Sequence, residues 1–106
     1  MKHVRTFETL LEIEPKVGDY VMCREQESST DRGLKKFISE NIGRVVSVKQ
    51  NVNHPFYVKY LNIPLEIEYR FIDGVREFAE FEIIRFATAQ EIDGYRLLQN
   101  VDSYNL

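Results

Sequence analysis

The sequence predicts a mostly β fold (β with a small α share), with a short helix at each end. Three observations carry this. Short runs of β-branched and aromatic residues recur between Gly, Pro, Asn and Asp clusters. Asp73-Gly74 stands between two such runs as a hairpin signal. Helical spacing of apolar residues is confined to the two ends. At 106 residues, 43% hydrophobic and 29% charged, with seven Phe and six Tyr to fill a core, the chain suits a single globular domain spanning 1–106. The same composition excludes collagen, coiled-coil and disordered classes.

Val4, Phe7, Leu10 and Leu11 lie at helical spacing and Pro15 stops the run, which predicts an N-terminal helix within 1–14. A β core then fills 16–87. A Gly18-Asp19 turn launches a first strand through Tyr20, Val21 and Cys23. Residues 25–36 are polar, with turn formers from Ser28 to Gly33, and read as a surface loop. A second strand is predicted from about Gly43 to Lys49 and a third from Phe56 to Leu61, joined by a turn at Asn51, Asn53 and Pro55. Leu65, Ile67, Tyr69 and Phe71 alternate with Glu66, Glu68 and Arg70, the pattern of a half-buried strand. Asp73-Gly74 would fold that strand back onto Val75–Phe81. After a last strand at 83–86, Thr88-Ala89-Gln90-Glu91 has the form of a capping box and predicts a C-terminal helix over 88–99, with Ile92, Tyr95 and Leu98 on one face.

Taken in order, Val17-Gly18-Asp19-Tyr20-Val21, Ile42-Gly43-Arg44-Val45-Val46, Phe56-Tyr57-Val58-Lys59-Tyr60 and Glu82-Ile83-Ile84-Arg85-Phe86 resemble the strands of small SH3-like barrels. Asn41-Ile42-Gly43-Arg44-Val45-Val46, Val58-Lys59-Tyr60-Leu61-Asn62-Ile63-Pro64 and Glu82-Ile83 also resemble short uncharacterised proteins of bacteriophages and Firmicutes. The resemblance covers roughly 16–92 and implies an SH3-like barrel of five or six antiparallel strands; it brings no activity with it. In such barrels, rings beside a long loop commonly hold peptides. On that ground Tyr57, Tyr60 and Tyr69 become candidate contacts.

Chemistry is sparse. His3, His54 and the single Cys23 have no metal-ligand spacing, and Cys23 lies in an apolar run that reads as a core strand rather than an activated thiol. Alternation sends Glu66, Glu68, Glu80 and Glu82 toward solvent instead of into a shared acid/base site. The five glycines are scattered singly, so no phosphate loop is present. We therefore expect no enzyme, no cofactor and no metal. With no disulfide partner for Cys23, no signal-like start and no run approaching about 18 apolar residues, a cytoplasmic location without membrane insertion is expected.

The formal charge is −3, and residues 63–106 hold nine acidic side chains against four basic ones. That acidity disfavours nucleic acid as a partner. The function that is expected is a non-catalytic protein-binding module, a phage accessory or host-directed inhibitor, contacting a host or self protein surface through loop 25–36 and Tyr57, Tyr60 and Tyr69. Homodimerisation through a free strand edge is a further expectation. The alternative is a nucleic-acid-binding small β barrel using a basic stripe of Arg44, Lys49 and Lys59.

Overall fold

The computed structural model describes residues 14–25 and 30–104, the side chains as far as residue 100. The helix expected within 1–14 falls outside these residues except for Glu14. Among the described residues, β1 (Tyr20–Cys23), β2 (Ile42–Val48), β3 (Phe56–Lys59), β4 (Val75–Phe78) and β5 (Ile83–Phe86) form one antiparallel sheet. Its spatial order is β4-β3-β2-β1-β5. Two helices, α1 (Arg32–Glu40) and α2 (Ala89–Tyr104), pack with it. At 9 and 16 residues the helices hold as much chain as the strands. The architecture is α+β, richer in helix than expected.

The excess comes from α1, which begins inside the predicted loop 25–36 and takes up its residues 32–36. Asp31 caps it, its Oδ1 accepting from the Leu34 N–H at 3.0 Å. Leu34, Phe37 and Ile38, at i, i+3 and i+4, form its buried face. The helix ends where Asn41 turns extended and donates its side-chain amide to the Phe37 carbonyl at 2.9 Å.

Alternation along β1 sets two cores on opposite faces of the sheet. Val21 and Cys23 join Val45, Phe56, Val58, Tyr60, Phe78 and Ile83 beneath α1. Tyr20 and Met22 face the other way and pack with Ile42, Ile92 and Tyr95 of α2. Bulges between Met22 and Cys23, and between Val45 and Ser47, interrupt the register and bend the strands. Gly43 lies where β2 crosses the core. A Cβ there would strike the Val58 Cγ1 methyl and come within 3.1 Å of the Lys59 carbonyl oxygen.

The Asp73-Gly74 turn forms as expected, with both residues at positive φ (54° and 80°). Its predicted partner strand does not. Residues Leu65–Arg70 wind into a 3₁₀ helix, and the turn is closed only by an Ile72–Val75 bridge. β4 pairs instead with β3, from Phe56–Phe78 to Lys59–Val75, and the 3₁₀ winding lets Ile67 and Phe71 join Leu34 and Phe37 in the core. A second 3₁₀ turn, Glu80–Glu82, precedes β5. The expectation that Glu82 is solvated is also corrected. It is buried, and its Oε1 accepts from the Ala79 N–H at 2.7 Å.

The capping box at the start of α2 is present. The Thr88 N–H donates to Glu91 Oε1 at 2.9 Å, and the Glu91 N–H donates to Thr88 Oγ1 at 3.2 Å. Glu91 also receives both Arg85 Nη atoms, at 2.9 and 3.0 Å, which ties α2 to β5.

Gly43→Ala should lower the urea-derived stability by about 1–3 kcal/mol through overpacking. Gly94→Ala, on an open stretch of α2 with nothing near the added methyl, should raise it by up to about 1 kcal/mol. For acid stability, Arg85 first and the Thr88 N–H second pull the Glu91 carboxyl from 4.5 to about 2. A carboxyl that ionises more readily in the fold stabilises it above the unfolded value and loses that contribution as pH falls through the folded one. Urea midpoints measured against pH should therefore fall between 4.5 and about 2, and Glu91→Gln should flatten that limb.

Candidate functional site

The five residues singled out from sequence are not brought together. Tyr60 is a correction: it is 2% exposed and sits among Phe37, Phe71 and Phe78, with ring centroids 5.7 to 6.2 Å away. It belongs to the core because the β2 and β3 residues before it, Gly43 and Val58, face inward and its ring fills the space that Gly43 leaves open. Its hydroxyl lies against the Cys23 thiol and finds no conventional hydrogen-bond partner. Burial, more than the opposing Tyr60 contact, pushes that thiol up to about 12, so Cys23 stays protonated and unreactive. Tyr57 is half-buried, and the Lys49 ammonium stands 5.0 Å from its ring centroid.

Tyr69 lies at the surface, in company that the sequence did not suggest. Leu65, Tyr69 and Ile72 are 81%, 74% and 80% exposed, while Ile67 and Phe71 between them are buried. Three large apolar side chains within eight residues are thus held in water by a segment whose own anchors are in the core. Two hydrogen bonds fix the winding, Ile67 N–H to the Pro64 carbonyl at 3.1 Å and Phe71 N–H to the Glu68 carbonyl at 3.0 Å. Beside the segment, a groove of about 340 Å³ runs along α1, with Phe37, Pro64 and Ile67 among its lining and Lys36, Glu40 and Glu66 carrying charge.

Ion pairs hold this raised segment to the frame. Arg76 of β4 grips Glu25 in two bonds, 3.2 and 2.6 Å, and donates its Nη1 to the Arg70 carbonyl at 3.1 Å. Arg70 in turn donates its Nε to Asp31 Oδ2 at 3.0 Å and stands over the Tyr69 ring at 5.6 Å. The Leu34 N–H first, and Arg70 second, hold the Asp31 carboxyl below its ordinary range. One relay therefore joins residue 25, the cap of α1, the 3₁₀ helix and β4.

Arg44 and Lys59 lie on the opposite face of the sheet. The register Tyr20–Arg44–Lys59 places all three on that face in adjacent strands. The Arg44 guanidinium stands 6.0 Å from the Tyr20 ring centroid, and Arg96 of α2 reaches the same ring at 5.9 Å. Tyr95 meets Tyr20 edge-on at 5.2 Å and donates its hydroxyl to the Lys59 carbonyl at 3.0 Å. Burial, then the neighbouring Tyr20, pushes the Tyr95 hydroxyl up to about 12. Lys59 gives its ammonium to the Asp73 carbonyl at 3.3 Å. Among the described residues, no carboxylate pairs with Arg44, Lys49, Lys59 or Arg96. The Arg44 Nε–H is buried without an acceptor, an unmade hydrogen bond worth about 1–3 kcal/mol.

Sequence reasoning missed Leu65, Ile72, Tyr20 and Arg96. The first two follow from the 3₁₀ winding, which the alternating pattern conceals, and the last two from a register and a helix docking that no local motif encodes. Among the described residues, no three His, Cys, Asp or Glu side chains converge as metal ligands would, and no helix is long and apolar enough to cross a membrane.

Arg76→Ala should destabilise the fold by about 2 kcal/mol, because it strands the mostly buried Glu25. The loss should be accompanied by faster amide exchange at Ile67 and Phe71, measured by hydrogen–deuterium exchange.

Comparison with protein-family models, with curated proteins and with solved structures finds no match to this chain.

Proposed function

We propose that this chain is a non-catalytic protein-binding module on a small SH3-like barrel, and that segment 65–72 is its contact surface. The barrel reading is supported by the meander from β1 to β4, by the return of β5 to β1 after a 3₁₀ turn, and by the two bulges. The observation that carries the function is the display of Leu65, Tyr69 and Ile72 on an anchored support. Burying each such side chain against a partner is worth roughly 1.5–3 kcal/mol. A support pinned by Ile67, Phe71 and Arg70 also spares the cost of ordering a loop on binding.

The partner is a protein surface with an apolar cleft and basic residues at its rim, since Glu66, Glu68, Asp73 and Glu77 are exposed around the three apolar side chains. The resemblance to bacteriophage proteins makes a host protein the first to test, in a cytoplasmic setting that suits one buried thiol. The proposed contacts move from Tyr57 and Tyr60 to Tyr69 with Leu65 and Ile72.

A nucleic-acid reading has one observation in its favour, the cations Arg44, Lys59 and Arg96 on one face, with which no carboxylate among the described residues pairs. It is the weaker reading, because single-strand binders offer free ring faces for bases to stack on. Here Tyr20 carries two guanidiniums and Tyr57 carries Lys49.

The test is capture from nuclease-treated host lysate on the immobilised protein, beside a Leu65→Ser/Tyr69→Ala/Ile72→Ser variant with an unchanged thermal melt. A stoichiometric protein held by the parent and lost by the variant supports the reading. Equal capture by both, or capture only of nuclease-sensitive material, contradicts it.

A further inference from the structure

We infer that the sheet face beneath α2 carries an oxyanion site for a phosphate monoester, formed by Arg44 and Arg96 beside Tyr20. The two guanidiniums come from different elements, β2 and α2, and converge on one ring at 6.0 and 5.9 Å. In this protein the other well-placed arginines have carboxylates. Arg70 has Asp31, Arg76 has Glu25 and Arg85 has Glu91. Among the described residues, Arg44 and Arg96 have only the ring and no carboxylate. Two like charges gathered on one tyrosine without a counter-ion form an electrostatic vacancy, and the unsatisfied Arg44 Nε–H adds a donor that an incoming acceptor relieves when it draws the guanidinium off the ring.

The surroundings define the ligand. A dianion matches the two guanidiniums in charge, and a phosphate monoester offers oxygens on more than one side, whereas a single carboxylate satisfies one arginine fork. Lys59, opposite Arg44 in the register, keeps its ammonium on the Asp73 carbonyl and contributes positive potential. The Tyr20 ring already has the two guanidiniums and the Tyr95 ring within 6.0 Å of its centroid, so it is not a free platform for a base. The recognised group is therefore the phosphate itself, whether free or on a phosphorylated side chain. This face is opposite the one that buries Ile67 and Phe71, so the site stands independently of segment 65–72.

The experiment is a titration followed by the arginine side-chain N–H and backbone amide resonances, at a pH above the second pKa of phosphate. Its arms are inorganic phosphate, O-phosphoserine, single-stranded oligothymidylate and sodium chloride at matched ionic strength. The proposal expects the Arg44 and Arg96 signals to move saturably with inorganic phosphate and O-phosphoserine. Stronger binding of O-phosphoserine identifies a phosphorylated side chain as the source, and equal binding a free phosphate. Arg96→Ala, at an exposed position on α2, should weaken binding at least about tenfold, and Arg44→Gln should abolish it; Arg96→Ala retains the test if Arg44→Gln does not fold. A linear drift shared with chloride, or tighter binding of oligothymidylate than of either monoester through the same two arginines, overturns the proposal.

Discussion

Ile67 and Phe71 govern how this protein presents itself. As a strand, residues 65–71 would send Leu65, Ile67, Tyr69 and Phe71 to one face together. Wound as a 3₁₀ helix, the same residues place Ile67 and Phe71 in the core beside Leu34, Phe37 and Tyr60 and leave Leu65 and Tyr69 in solvent. The choice is made by the rest of the fold. α1 offers an apolar slot in which Ile67 and Phe71 meet Leu34 and Phe37. Pro64 supplies the carbonyl that starts the winding.

Arginine is divided between two tasks. Arg70, Arg76 and Arg85 are fasteners: through carboxylates, Arg70 joins the 3₁₀ helix to the cap of α1, while Arg76 and Arg85 tie Glu25 and α2 to the sheet. The Arg76–Glu25 pair is the most enclosed of the three, and as a partly buried pair it matters more for fixing one arrangement than for net stability. Arg44 and Arg96 stand outside this scheme, on the sheet face where β1 turns Tyr20 and Met22 away from the main core. The two faces of one four-residue strand thus separate an apolar display on one side of the molecule from a cationic cluster on the other.

Much of the frame was legible in the sequence. The strands around Tyr20, Gly43, Phe56 and Ile83, the turn at Asp73-Gly74 and the capping box at Thr88 all follow from local chemistry and appear within a few residues of their predicted places. α1 was missed because the polar residues around it resemble a loop, although Asp31 followed by Leu34, Phe37 and Ile38 is a capped amphipathic pattern. The 3₁₀ helix was illegible for a different reason. Alternation at 65–71 is a strand signal, and the burial of Ile67 and Phe71 against α1, a non-local fact, overrides it. The candidate site suffered most. Its residues are defined by what tertiary packing expels, which local periodicity does not record, and Tyr60 shows the converse, a ring drawn inside by space left at Gly43.

The central claim is that the free protein holds Tyr69 and its apolar neighbours in water on a rigid support while Tyr60 is sealed within. Hydroxyl-radical footprinting read by mass spectrometry, on protein diluted to its smallest species, tests it most directly. Rapid labelling is expected at Leu65, Tyr69 and Ile72 and almost none at Tyr60, Ile67 and Phe71. Protection of Tyr69 together with labelling of Ile67 or Tyr60 would contradict it, since the segment would then be folded the other way round.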